Sequence, residues 1–326
     1  MRPFHLVAAL GLLVMALMLF SINLGSSEIS LFDLFGTERS HAVKLVLLEI
    51  RLPRTLIAAV AGASFGISGA AMQGLLRNPL ASPGLIGSSS GAALGAIIVL
   101  YLGLGEVSWV LMPSGGMLGA LIAMVLVYVL AGRDASIVTI VLAGVAINSL
   151  AIALMSLILN LAPSPYAVQE IVLWTLGSVS NLGMTDLWVM LPATVLGWLL
   201  FVGTGNALEL LTLGEDTARS MGVNLGFLRT RLFLAVALSI GAAVSVTGAI
   251  GFIGLVIPHL LRPLVGYQPG RLLGVSALGG AAMLLAADIA VRLMPPGPEI
   301  RIGVLTAIVG APFFLFLILK TRRWQI

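Results

Sequence analysis

Thr247-Gly-Ala-Ile-Gly-Phe-Ile-Gly-Leu-Val-Ile-Pro-His-Leu-Leu-Arg-Pro-Leu264 decides how this chain is threaded. Its apolar part, Phe252 to Leu264, is 13 residues long and carries Pro258 near its middle. A straight helical crossing of a bilayer needs about 20 residues, so the segment is too short to span alone. Its proline also frees backbone groups that lipid cannot satisfy. It therefore reads as a short or broken helix that neighbouring protein must enclose. Whether it counts as a crossing sets the side of everything after it.

Nine further apolar runs have the length of a span: residues 6–24, 55–76, 84–104, 116–131, 137–160, 187–204, 230–250, 271–294 and 302–319. Hydrophobic residues are 59% of the 326 and charged residues 9%, with a mean hydropathy of +1.12. A water-soluble domain cannot bury that much apolar surface. The expectation is an all-α membrane protein, a ten-helix polytopic bundle forming one transmembrane domain over residues 1–326, with no soluble catalytic or nucleotide-binding domain. The first run follows Arg2 and has no small-x-small cleavage site before the polar stretch at Gly25, so it reads as an uncleaved helix rather than a signal peptide. Cysteine is absent and only His5, His41 and His259 occur, which excludes thiol chemistry and argues against a metal cluster.

Topology follows from the cations. With the N-terminus in the cytoplasm, Arg2, Arg77, Arg133, Arg219, Arg229, Arg231, Arg262, Arg271, Lys320, Arg322 and Arg323 face inward. Only Arg39, Lys44, Arg51, Arg54, Arg292 and Arg301 then face outward. That excess places both termini inside, and an even number of crossings requires the short segment to count. The same scatter argues against nucleic-acid binding despite the basic balance. Glycines recur inside the spans at spacings of three and four, as at Gly62, Gly66 and Gly69, a pattern that lets helix backbones approach closely.

Residues 207–231 form the long inward connector. They read as two short helices, with Gly214 breaking the first. Glu215 and Asp216 open the second, where acids suit the helix dipole, and Gly222 stops it. Two readings stand: a solvated connector, or a docking element for a cytoplasmic partner, because connectors between spans are usually shorter. On the outer face lies Glu49-Ile-Arg-Leu-Pro-Arg54, with Pro53 expected to fix the first turn of the second helix. Arg51 and Arg54 are either interface anchors or receivers of acidic groups from an external partner. Asp288 and Arg292, four apart, form a structural ion pair or belong to a proton relay. Gly66-Ile-Ser-Gly69 matches a four-residue pattern of intramembrane serine proteases, with Ser68 as nucleophile and His259 as base. Zinc-protease and phosphate-loop signatures are missing.

Several blocks fall in a recognisable order: Ile50-Arg-Leu-Pro-Arg-Thr55, Gly69-Ala-Ala-Met-Gln73, Arg77-Asn-Pro-Leu-Ala-Ser-Pro-Gly-Leu-Ile-Gly87 and Ser90-Gly-Ala-Ala-Leu-Gly95. Leu142-Ala-Gly-Val145, Leu213-Gly-Glu215, Gly248 to Arg262, Ala286-Ala-Asp-Ile-Ala-Val-Arg292 and Gly303 to Phe313 continue the series. Together they resemble the FecCD-type permeases, membrane subunits of type II ABC importers for iron–siderophore complexes, haem and cobalamin. The resemblance implies a permease in the bacterial cytoplasmic membrane that works with a second copy of itself, two cytoplasmic ATPases and an extracytoplasmic binding protein. It implies no enzyme activity and no cofactor on this chain, since ATP and Mg sit on the partner ATPase. The family's docking arginines match Arg51, Arg54 and Arg292. Its coupling helices match Leu213 to Val223, with Leu213, Gly214, Glu215, Asp216, Ala218, Arg219 and Gly222 in the docking segment. The family's pathway runs along the dimer interface between the fifth and tenth helices, where Asn148, Ser149 and Ser156 are polar candidates for lining it.

Two departures concern the cargo. Ser88 and Ser89 follow Gly87 where the family usually has an apolar residue, and Arg301 adds a charge before the last helix. An iron chelate, siderophore or haem, is expected before cobalamin. The readings of another class are an ion-coupled secondary transporter using Asp288 and the intramembrane protease.

Overall fold

The computed structural model describes residues 3–25, 29–31, 33, 41–132, 136–294 and 300–322. Arg2, Arg39, Arg133 and Arg323 lie outside them. In chain order the helices are α1 (Pro3–Asn23), α2 (His41–Lys44), α3 (Leu52–Leu75), α4 (Ser88–Tyr101), α5 (Leu104–Val107), α6 (Leu111–Ala131), α7 (Ile137–Asn160) and α8 (Pro165–Thr175). Then follow α9 (Met184–Phe201), α10 (Gly205–Leu211), α11 (Glu215–Ser220), α12 (Leu225–Thr247), α13 (Ile253–Leu261), α14 (Pro269–Arg292) and α15 (Ile302–Arg322). The described residues contain no strand.

Local chemistry corrects the expected boundaries. Pro53 sits in the first turn of α3, but the helical path does not begin there: it runs unbroken from His41 to Leu75. Leu45–Arg51 wind as a π-helix, and the Leu52 N–H reaches back five residues to the Leu47 carbonyl. A widened turn of this kind absorbs the bond that proline cannot make. The run expected over 84–104 is cut instead. A 3₁₀ turn, Pro83–Ile86, reverses at Gly87, whose φ of +79° suits glycine, and α4 starts afresh at Ser88. The short eighth segment is nine residues of α13 plus a 3₁₀ turn at Pro263–Val265. Phe252 enters it with φ +67°, and Gln73 of α3 donates to the Leu255 carbonyl at 3.2 Å. Helix α8 lies outside every expected run, although Ser164 caps the Ala167 N–H at 3.2 Å and Pro165 sits at its first turn, a legible start signal.

Among the described residues seven helices are long and apolar enough to cross a membrane: α1, the His41–Leu75 run, α6, α7, α9, α12 and α14. The apolar helices α4 and Ile302–Phe316 are shorter, and α13 is shorter still. Helices α3, α12 and α14 form the interior, with α3 packed along α14 and against α13, α12 and α1. Glycine permits that approach. A Cβ on Gly66 would overlap the Ser276 carbonyl of α14, and one on Gly69 would overlap the Gly254 carbonyl of α13. Helix α15 is attached thinly, to α14 and α13. Its Gly303 lies on the Leu176 and Ala249 carbonyls, and its Gly310 lies under the Phe252 ring.

Candidate functional site

Two groups of polar side chains occupy opposite ends of α3, roughly 30 Å apart at 1.5 Å per helical residue. At its N-terminal end Asp288 is fully buried on α14. Its Oδ1 accepts from Arg54 Nε at 2.9 Å and Nη2 at 2.7 Å. Its Oδ2 accepts from Arg292 Nε at 2.8 Å and from Arg292 Nη2. Both carboxylate oxygens are thus held by guanidinium groups, the geometry of a fixed ion pair.

Arg292 and Arg51 also close the end of α1, whose last carbonyls lack helical partners. Arg292 Nη1 donates to the carbonyls of Ser21 at 2.8 Å and Leu24 at 3.3 Å, and its Nη2 donates to Ser21 Oγ at 2.8 Å. Ser21 Oγ in turn lies 2.8 Å from Thr55 Oγ1. Arg51, only 4% exposed, donates Nη1 to the carbonyls of Ile22 and Asn23 at 3.2 Å and of Ile29 at 2.7 Å. The structure therefore gathers the three arginines singled out in the sequence into one buried cluster joining α1, α3 and α14. Arg54 is the most accessible of them, with 17% of its side chain exposed. The i,i+4 partnership of Asp288 and Arg292 is visible in sequence. Arg54 as a second partner, 234 residues away, is not.

At the other end α10 and α11 meet at Gly214, whose φ of +109° breaks the helix. Leu208, Leu211 and Ala218 are buried, which seats this hairpin on the bundle. Glu215 accepts from Arg229 Nη2 with both oxygens, at 2.9 and 3.0 Å. Helix α11 closes with Gly222 N–H to Arg219 O and Val223 N–H to Ala218 O, both 3.0 Å, the bonding of a glycine-terminated helix. Asp216 and Arg219 remain exposed, and so do the large apolar side chains of Leu213, Met221 and Phe227.

Between the ends, Asn148 is half-buried while Ser149 and Ser156 are exposed on α7; Ser156 Oγ donates back to Ile152 O at 2.9 Å. Only 28% of the α7 span is buried, and Leu142, Leu150 and Leu157 stand exposed on it, as do Ile308, Leu315 and Phe316 on α15. The protease pair is not assembled. Ser68 Oγ is buried and makes no hydrogen bond among the described residues, and the His259 ring packs edge-on to Phe313 at 6.0 Å. Among the described residues no cluster of metal-ligating side chains occurs.

Comparison with known proteins agrees with this architecture. The FecCD transport family matches residues 12–320. The hemin transport system permease protein HmuU of Yersinia pestis is 39% identical over 330 residues, covering 99% of this chain and 97% of its own. The vitamin B12 import system permease protein BtuC of Shigella boydii is 41% identical over 317 residues, covering 96% and 94%. A solved chain described as an inward-facing conformation of a metal-chelate type ABC transporter superposes with a TM-score of 0.85 at 30% identity, covering 96% of this chain and 98% of its own. The chain belongs to the FecCD transport family.

Proposed function

We propose that this member of the FecCD transport family is the permease subunit of an ATP-driven importer for a large metal chelate, haem or an iron siderophore first and cobalamin second. In this reading it crosses the bacterial cytoplasmic membrane ten times, with α4, α13 and α15 completing the seven long spans and both termini inside. Two copies meet across the bare apolar faces of α7 and α15, and the cargo passes between them beside Asn148, Ser149 and Ser156. A loaded binding protein docks on the arginine cluster at the outer end, where Arg54 and Arg292 offer positive charge for acidic side chains and Arg51 holds the end of α1 in place. Complementary charge of this kind sets encounter rate and register.

The α10–Gly214–α11 hairpin carries the coupling. It is clamped to the bundle by Glu215 and Arg229, yet presents Leu213, Met221 and Phe227 outward, a combination that suits a lever gripped by a partner. Two ATPase subunits grip it, and their closure tilts the bundle through α12, on which Arg229 sits. The chain itself performs no chemistry; it contributes a packed interface with two arrangements that its partners bias. A wide, weakly polar route suits a bulky chelate better than a bare ion, which would need a ring of coordinating groups.

The observation that carries the reading is the exposed apolar hairpin at the end opposite the arginine cluster, in a chain of this family. Reconstitution into proteoliposomes with a cognate ATPase and binding protein tests it. Haem uptake should require ATP and all three components, and Glu215→Ala with Arg219→Ala should leave ATP hydrolysis running while uptake falls. Uptake by the permease alone on a proton gradient would overturn the proposal and favour a secondary transporter. Cobalamin taken up in preference to haem would reverse the order of cargoes.

A further inference from the structure

A cavity of about 260 Å³ lies beneath the C-terminal end of α3, lined by Gln73, Arg77, Thr212, Arg262 and Tyr267 among others, none of them acidic. Arg262 donates to Gln73 Oε1, while its Nε is buried without a hydrogen-bond partner among the described residues. The guanidinium of Arg77 and the phenol of Tyr267 also make no hydrogen bond or ion pair among the described residues. Gln73 has committed its amide to Leu255 O, and Thr212 has committed its hydroxyl hydrogen to Glu209 O. The cavity therefore offers unused donors and two positive charges with no negative counterpart.

Backbone conformation points to the same place. Four described residues other than glycine have positive φ, and two of them, Arg77 at +46° and Tyr267 at +61°, line this cavity. Glycine would hold either turn without strain. Strain kept in order to aim a particular side chain is a mark of function.

We propose that this cavity binds a phosphate-bearing anion, held by Arg77, Arg262 and Tyr267. Guanidinium forks match phosphate oxygens in geometry as well as charge. Beside the Arg262–Gln73 bond, the anion links three elements: the end of α3, the turn between α13 and α14, and the connector from α10 to α11. Its source is either free phosphate or the headgroup of an anionic phospholipid in the adjoining leaflet. The site does not depend on which cargo the permease carries.

The test uses the full-length chain purified in a maltoside detergent. Thermal unfolding is followed while inorganic phosphate replaces chloride at constant ionic strength, and separately in phosphatidylcholine nanodiscs with and without phosphatidylglycerol. Wild type should gain saturable stabilisation. Arg77→Gly and Arg262→Gln should each weaken the apparent affinity at least about tenfold, the scale of one lost charge-assisted bond. Arg271→Gln, which removes an equal charge outside the cavity, should leave it unchanged. Stabilisation by phosphate in detergent identifies the free anion, whereas stabilisation by phosphatidylglycerol alone identifies the lipid. Absence of saturable stabilisation by both probes, or equal affinity in all variants, overturns the proposal. Should Arg262→Gln fail to fold, Arg77→Gly decides by itself. Failure of haem or cobalamin uptake bears on the transport reading and not on this one.

Discussion

The two ends of α3 both gather arginines, and they treat them oppositely. At the N-terminal end Arg54 and Arg292 share Asp288, and Arg51 and Arg292 close the carbonyls that end α1. At the C-terminal end Arg77 and Arg262 line a cavity without a carboxylate among its walls. The first arrangement has its carboxylate within the chain, so its charge fixes architecture and leaves only an accessible edge, chiefly at Arg54, for a partner. The second is incomplete within the chain, so its charge is available to something else. Between them, the glycine contacts of α3 with α14 make a closely packed strut.

Breaking the complete end should cost most. Asp288→Ala leaves two largely buried guanidinium groups without their carboxylate and is expected to destabilise by about 3–5 kcal/mol, read as a shift in detergent unfolding. A loss below about 1 kcal/mol would mean that water or backbone can replace Asp288, and the contrast between the ends would fail. Gly66→Ala attacks the strut, since the new methyl overlaps the Ser276 carbonyl. A loss of about 1–3 kcal/mol is expected, while Gly11→Ala on α1, which meets nothing within 4 Å, should cost nothing measurable in the same assay. Glu215→Ala frees the Arg229 clamp and should cost about 1–2 kcal/mol. Its larger effect should appear as uptake lost per ATP hydrolysed. Arg77→Gly should be smallest and opposite in sign, a gain of about 0.5 kcal/mol from relieved backbone strain, net of the extra freedom of glycine when unfolded. Loss of stability there would show that Arg77 is bonded within the chain after all.

What was legible in the sequence tracks the range of the interaction concerned. Uninterrupted apolar runs place α7 at residues 137–160 and put most other long spans within about five residues of their observed limits, whereas the His41–Leu75 run begins 14 residues ahead of the expected 55–76. Gly214 and Gly222 announced the hairpin because turn chemistry is local. Asp288 and Arg292 were readable as neighbours because four residues make one helical turn. Helix boundaries failed where two conformations differ little in composition: nothing in Leu45–Arg51 marks a π-helical turn, and Gly87 is one glycine among many. The link from Arg54 to Asp288, the grip of Arg229 on Glu215 and the meeting of Arg77 with Tyr267 depend on tertiary approach, which no spacing encodes. Ser164-Pro165 is different, since a capping serine followed by proline is a local start signal for α8.

Helix α15 is seated at its first turns, where Ile302 and Thr306 are buried and Gly303 lies over a pair of carbonyls, and is braced further along by Gly310 beneath Phe252 and Phe313 against His259, while Ile308, Leu315 and Phe316 stand exposed. A rod anchored at one end and lightly braced further along has little resistance to swinging at its far end. Its tilt is therefore set from without, by whatever lies across those uncovered side chains, and an isolated copy should show this helix at many angles where a paired one shows few.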